Sequence, residues 1–320
     1  MALQTLSMQL NTFYSGPQAW FFLADERGYL RDEGLALAFT EGDTAANTIP
    51  KMAGGGFDVG YGDINALIEH IAAGKPHVPL AVFASYNASP YTLAVAASGG
   101  IHSPQQLAGK RLVAHPNDAA LNLFAEFCAK TGLDARSVSI EISAAPHSEL
   151  VPQLLGGRCD AMFGFVNTLV AATLDAGLMP ADLRFIEYHD HVPDLYGMAI
   201  MVTRKLAAES PETVQRLLRA LNRGLVDTVA DPEAAIDALI KRNPASPRDS
   251  NLRRLQGTLA LEMGRAEGAM LGIGDLDDAR LQRSIDLIVH TKSFAHRPIA
   301  HDLFSRNFLP PLDQRVRSLA

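Results

Sequence analysis

The chain has 320 residues, 48% of them hydrophobic and 20% charged, with a formal net charge of -7. That length is enough for two lobes with separate cores, the balance is ordinary for a globular chain, and the acidic charge without a concentrated basic stretch argues against a nucleic-acid partner. No run of about 18 apolar residues occurs, so no membrane-spanning helix is expected; Cys128 and Cys159 lie in apolar stretches outside any CxxC pair and read as buried thiols, with a disulfide between them left open.

Met1 to Leu10 reads as the approach to a short strand. It lacks a basic segment followed by a long apolar core, so it is not read as a secretory signal. Ser15-Gly16-Pro17 opens a capped helix through Ala19–Leu23, closed by Gly28. Leu35–Thr40 is a strand and Gly42-Asp43-Thr44 a polar turn. Pro79–Tyr86 and Tyr91–Ala97 are two further strands. Ser103-Pro104-Gln105-Gln106 has capping-box spacing. Lys110–His115 is a strand, Asn117-Asp118 caps a helix running to Lys130, and Ser137–Ile142 and Arg184–Tyr188 are strands. This alternation predicts mainly parallel sheets. After Thr203 the pattern becomes helical: Pro211–Val229, Pro232–Arg242, Leu252–Met263 and Leu276–Thr291 all read as amphipathic helices.

One motif occurs twice. Residues 50–68, PKMAGGGFDVGYGDINALI, align without a gap to residues 152–170, PQLLGGRCDAMFGFVNTLV. The identities are Pro50/Pro152, Gly54/Gly156, Gly55/Gly157, Asp58/Asp160, Gly62/Gly164, Asn65/Asn167 and Leu67/Leu169. Two copies about a hundred residues apart are not a solenoid; they read as one α/β unit used in each of two lobes. Each copy is predicted to end a short helix at a glycine pair, run through a strand, and turn at Gly62 or Gly164 into a helix bearing Asn65 or Asn167. Pro50 and Pro152 are predicted in the first turn of their helices, where a missing N–H costs little. The fold class is therefore α/β: two α/β lobes joined by a two-crossing hinge, with the helical C-terminal segment packed on lobe 1. Lobe 1 comprises residues 1–91 plus 199–320 and lobe 2 residues 92–198, with crossings near Ser89–Tyr91 and Tyr196–Met198.

Several runs carry a resemblance. ADERGYLRDEGLALAF, GGGFDVGYG, SPQQLAGKRL and LGGRCDAMFGF, with the helical tail, are similar to the NMT1/THI5-like and SsuA-like solute-binding proteins of ABC transporters, which have the type II periplasmic-binding-protein fold. The resemblance implies a ligand cleft between lobes, hinge closure, delivery to a membrane permease, and a periplasmic or extracytoplasmic location with a leader removed; a cytoplasmic location is the alternative. A related branch of enzymes makes the thiamine pyrimidine. It resembles a different pattern, with a CCCFC motif and a lysine after the first glycine pair, where this chain has Gly56-Phe57.

Ligands of open α/β sheets bind beyond the carboxyl ends of the strands. The candidates are therefore Asn11, Tyr14, Asp43, Thr44, Tyr61, Asp63 and Tyr86 from lobe 1, and His115, Asn117, Asp118, Phe163, Phe165 and Asn167 from lobe 2. Free N–H groups at helix starts suit anionic or carbonyl-bearing ligands, and flat rings favour a flat ligand. Each has a plainer reading: Asp43, Asn117 and Asp118 as helix caps, and Tyr14, Tyr61 and Phe163 as core aromatics. His189 and His191 in EYHDHVPDLY look metal-like but lack further spaced ligands, and read as loop polarity. Gly54-Gly55-Gly56 precedes a strand, so it is not a phosphate loop, and no GxSxG, HExxH or GxGxxG occurs. No catalytic residue, metal or cofactor is predicted. The leading expectation is a monomeric binding protein for a small, pyrimidine-like molecule. The alternatives are a sulfonate-, nitrate- or aromatic-acid-binding relative, an enzyme using His115 with Asp118, and a sensor domain.

Overall fold

The computed structural model describes residues 3–319 and divides into two units, Met1–Ala88 with Tyr196–Ala320, and Ser89–Leu195. Ten strands follow in chain order: β1 (Gln4–Gln9), β2 (Leu35–Thr40), β3 (Val59–Asp63), β4 (Leu80–Ala84), β5 (Tyr91–Ala96), β6 (Arg111–Ala114), β7 (Ser139–Ile142), β8 (Ala161–Phe165), β9 (Leu183–Glu187) and β10 (Met198–Val202). The first unit holds a sheet of order β2-β1-β3-β10-β4 and the second a sheet of order β7-β6-β8-β5-β9.

The two sheets share one plan. In each, four strands run in one direction, and the fourth place belongs to the one reversed strand: β10 between β3 and β4, and β5 between β8 and β9. Strand direction is thus mainly parallel, as the alternation predicts, and the one reversed strand makes each sheet mixed. The antiparallel strand is in each case the first laid down after the chain enters that unit. β10 escaped the sequence reading because MAIMV is short, continuously apolar and next to a predicted crossing, so it shows no alternation.

The repeated motif has a physical basis in both units. Gly55 and Gly157, second of each glycine pair, have φ of +80° and +76°, where a side chain is strained. The aspartate that follows ties β3 to its neighbour β1, or β8 to its neighbour β6. Asp58 Oδ2 accepts from Ser7 N and Oγ, each at 2.9 Å, while Asp160 Oδ2 accepts from Arg111 N at 2.8 Å. Ser7 and Arg111 hold the same place, one residue before Met8↔Val59 and Leu112↔Ala161. The backbone that opens the next helix is also fixed alike: Ile64 N donates to Gly197 O and Val166 N to Pro90 O.

Two details of the motif differ from expectation. Gly62 and Gly164 are inside β3 and β8 rather than at the turn. A Cβ at Gly62 would stand 2.9 Å from Thr48 Cβ, and one at Gly164 3.0 Å from Leu169. These glycines therefore admit a close helix, not a reversal. Pro50 is the third residue of its helix (Thr48–Ala53), but Pro152 is the sixth of His147–Leu155. Buried Leu150, Val151 and Leu154 at helical spacing carry that helix across the proline.

The core of the first unit gathers Trp20, Phe21 and Phe22 of helix Ala19–Glu26 against Met8, Tyr61, Phe83 and Ile200 of the sheet. Each fully buried Phe contributes about 1.5–3 kcal/mol relative to an exposed one. Helix Pro211–Ala230 presses onto the same helix so closely that a Cβ at Gly224 would meet Ala24 Cβ and Trp20 O at 2.6 Å. The helices Pro232–Arg242 and Asp278–Thr291 form as the periodicity predicts. The expected helix over 252–263 is α-helical only to Gly257 and continues as a π-helix over Thr258–Met263. In the second unit Ala94, Val113, Val151, Met162 and Leu169 form the core. The helix expected to run from Asp118 to Lys130 is broken at Leu123 into Ala119–Asn122 and Phe124–Thr131.

Candidate ligand site

The carboxyl ends of the strands were the expected place, and each unit offers a set of polar groups there. In the first unit the chain leaving β1 is pinned by an amide. Gln18 Nε2 donates to Asn11 Oδ1 and, at 3.1 Å, to Thr12 Oγ1, and Gln18 Oε1 accepts from Ser15 N at 3.2 Å. Asn251, on helix Arg248–Gly257, accepts from Gly16 N at 2.8 Å. A Cβ at Gly16 would overlap Asn251 O at 1.9 Å, so this loop and the helical tail meet backbone to backbone. Asn11 is thus a buried, oriented amide at the end of β1.

The other first-unit candidates divide. Tyr14 packs edge-on against Phe22, and its hydroxyl donates to Phe39 O at 3.1 Å, which anchors it to the core rim. Burial pushes the Asp43 carboxyl up, but hydrogen bonds from Asn47, Lys51 and Thr44 outweigh that and hold it at about 2. It organises its own loop. Thr44 Oγ1 is sealed from solvent with no hydrogen-bond partner. Asp63 caps helix Ile64–Ala72 by accepting from Asn65 N at 2.7 Å, and Asn65 Nδ2 donates to Tyr196 O at 2.7 Å. Tyr61 is wholly buried among Trp20, Phe21 and Tyr86, with its hydroxyl 2.9 Å from Ser85 Oγ; burial holds its phenol well above the usual range. Tyr86 is buried beside it.

Above these two tyrosines lies a group the sequence reading missed. Glu262 sits on the π-helical turn and is only 2% exposed. Burial pushes its carboxyl up to about 7, eased by the Thr258 and Tyr86 hydroxyls beside it. Neither of its oxygens closes a hydrogen bond of good geometry. Nothing local marks it, since a glutamate in an amphipathic helix ordinarily faces solvent. π-turns inside α-helices are frequent at functional sites.

In the second unit the turn after β6 brings three candidates together. Asp118 N donates to His115 O, and Asn117 between them takes φ +56°, which asparagine tolerates. Asp118 Oδ1 accepts from Ala120 N at 2.8 Å and Leu121 N at 3.4 Å. Burial pushes its carboxyl up to about 6 against those bonds, although part of the residue remains exposed. The His115 ring lies 4.2 Å from that of His147, the first residue of helix His147–Leu155, which the sequence reading also missed. His115 Nε2 is sealed without a hydrogen-bond partner, and burial lowers its affinity for a proton. At the end of β8, Phe163 is buried in the core against Phe124, whereas Phe165 is partly exposed, its ring 5.5 Å edge-on from Tyr91. Asn167 is buried in the first turn of helix Val166–Asp175, and its Oδ1 accepts from Thr168 Oγ1 at 3.1 Å.

His189 is held between two carboxylates, Glu187 at 3.2 Å and Asp190 at 3.1 Å, and the His191 ring stands edge-on to Phe127. Among the described residues no group of three or more His, Cys, Asp or Glu is placed to hold a metal ion, and no helix is long and apolar enough to cross a membrane. Cys128 and Cys159 are both free thiols.

Comparison with known proteins places this geometry. A sequence profile described as NMT1/THI5 like matches residues 18–235. A protein of Aspergillus parasiticus named 4-amino-5-hydroxymethyl-2-methylpyrimidine phosphate synthase is 23% identical over 248 residues, covering 73% of this chain and 70% of its own length. A protein of the same name from Schizosaccharomyces pombe is 23% identical over 222 residues, covering 66% of this chain and 62% of its own length. Among solved structures, the alkanesulfonate-binding protein SsuA of Xanthomonas axonopodis pv. citri, bound to MOPS, superposes with a TM-score of 0.69 at 17% identity, over 94% of this chain and 98% of that one. The mixed five-stranded sheets are thus those of the periplasmic-binding-protein fold, and the chain belongs to the NMT1/THI5-like family.

Proposed function

We propose that the chain is a solute-binding protein that captures one small, flat, nitrogen-bearing heteroaromatic molecule of the pyrimidine class through side chains gathered at strand ends. The observation that carries this reading is the chemistry of those residues. They are buried or oriented amides (Asn11, Asn167), carboxyls that burial pushes towards neutrality (Asp118 to about 6, Glu262 to about 7), an imidazole with a sealed nitrogen (His115) and one partly exposed ring (Phe165). None of the thirteen candidates is a lysine or arginine. Sulfonate and nitrate call for cations or clustered N–H donors; an aminopyrimidine offers a flat face and an N–H edge that amides and carboxyls accept. The names of the fungal relatives lean the same way. On this reading the protein works outside the cytoplasmic membrane and hands its ligand to an ABC permease.

The test is thermal unfolding against a panel of pyrimidines, flavins, aromatic acids, sulfonates and nitrate. A ligand at about 100 times its dissociation constant adds about 2.7 kcal/mol of stability. A rise confined to aminopyrimidines supports the proposal, and a rise confined to sulfonates or nitrate refutes the ligand class. The fungal relatives' names favour a second reading, an enzyme of pyrimidine synthesis on this fold. His115 and Asp118 would then be its acid–base groups, and a converted product in place of the recovered ligand would reveal it.

A further inference from the structure

We infer that Arg280 is a positioning residue that clasps both points where the chain leaves and re-enters the first unit, and so sets the stiffness of those two segments for ligand capture. The chain leaves beyond β4 through Ser85–Ala88 and returns through Tyr196–Gly197 into β10. The two segments lie side by side: Tyr86 N donates to Met198 O at 3.1 Å and Gly197 N to Tyr86 O at 3.3 Å. Such bonds extend the sheet and would form in any pair of neighbouring strands.

Arg280 adds something the sheet does not require. Its Nη1 donates to Asn87 O, in the outgoing segment, at 2.7 Å. Its guanidinium lies 4.0 Å over the ring of Tyr196, in the returning one. The same Nη1 meets Glu267 Oε2 at 3.0 Å, and the other oxygen of Glu267 accepts from the Tyr196 hydroxyl at 2.6 Å. That hydroxyl also accepts from Asp277 N at 3.0 Å. The contacts close a ring, Arg280 to Tyr196 to Glu267 and back, and the side chains of Arg280 and Glu267 are only 14% and 13% exposed. A second attachment backs it: Asn87 Nδ2 donates to Met263 O at 2.8 Å, in space that a Cβ at Gly268 would invade at 2.1 Å from that nitrogen. One guanidinium therefore grips both segments, and the planar fork and stack that this needs are properties of arginine that lysine lacks. Charge-assisted bonds in a shielded site are among the stronger single contacts, so their loss acts on both segments at once.

Hydrogen exchange on the full chain, without ligand, reads the clasp directly. In Arg280→Lys the amides of Tyr86, Ala88 and Gly197 should exchange about tenfold faster, the change expected for losing about 1.4 kcal/mol of local protection, while amides of β1 and β3 keep the parental rate. Gly268→Ala, which displaces Asn87 without touching the charges, should loosen the outgoing segment. Tyr196→Phe keeps the stack and should loosen the returning one. Acceleration spread over the whole unit, acceleration in only one segment of Arg280→Lys, or none, would overturn the inference. Only the link to ligand capture rests on the solute-binding reading; the exchange pattern is measured without ligand, so the two fail in separate experiments.

Discussion

Replacing Glu262 by glutamine should raise stability at alkaline pH and leave it unchanged in acid. The carboxyl is sealed on a π-turn beside Tyr86 and Thr258, and burial lifts it from an ordinary 4.5 to about 7. A folded-state pKa above the unfolded one means that the folded protein holds a proton the unfolded chain has released. Stability is therefore fully present below pH 4.5, falls as the pH rises to about 7, and is flat beyond. At about 1.4 kcal/mol per pH unit, a shift of about 2.5 units costs the parent about 3 kcal/mol at pH 8. Glutamine has the same shape and no charge to bury, so the Glu262→Gln difference should grow from about zero at pH 4.5 to about 3 kcal/mol at pH 8. With an unfolding entropy of about 2.1 cal/mol/K per residue, that is about 5 °C in Tm for a chain of this length. Asp118, lifted to about 6 by burial, contributes with the same sign in both proteins and cancels in the difference. The assay is paired thermal unfolding of parent and variant from pH 4.5 to 8.5. A difference independent of pH, or a variant less stable at pH 8, would refute the argument from burial.

Further substitutions separate packing from binding. Gly224→Ala should lose about 1–3 kcal/mol by denaturant unfolding, because the new methyl meets Ala24 and the Trp20 carbonyl at 2.6 Å between two helices. Asp58→Ala should cost about 1–3 kcal/mol by orphaning two Ser7 donors in a partly buried site. Asp160→Ala, whose partner Arg111 is largely exposed, should cost under about 1 kcal/mol; equal losses would show that the two copies of the motif carry equal loads. Phe163→Ala should lose about 3–5 kcal/mol of stability. Phe165→Ala should lose far less stability but weaken ligand binding about tenfold, read by calorimetry; unchanged affinity would remove Phe165 from the site.

Much of the architecture was legible because its signals are local. The glycine pair performs its backbone job within a few residues; the aspartate and Asn65 of the repeat also reach distant parts of the chain, but their recurrence at matched positions exposed the duplicated sheet plan. β10 was not legible, because a short buried strand lacks alternation and its antiparallel place depends on where the returning chain re-enters. The fate of the aromatics was equally hidden. Tyr61 and Phe165 both stand near the ends of their strands, yet one faces Trp20 and Phe21 while the other stays partly exposed, a difference set by which helices cover each face. Glu262 and Asn251 sit in the helical tail and reach the strand ends only through tertiary packing. Gln18 did carry a signal, the Ser15-to-Gln18 capping spacing, but its grip on Asn11 depends on the path of the chain after β1.

On the proposed reading the protein holds a pyrimidine-class molecule without changing it. Equilibrium dialysis against isotopically labelled 4-amino-5-hydroxymethyl-2-methylpyrimidine, with chromatography of the recovered label, separates holding from conversion. Saturable uptake of one ligand per chain and recovery of the label as the unaltered compound are expected. Absence of saturable uptake, or recovery of the label in a new compound, would overturn that reading.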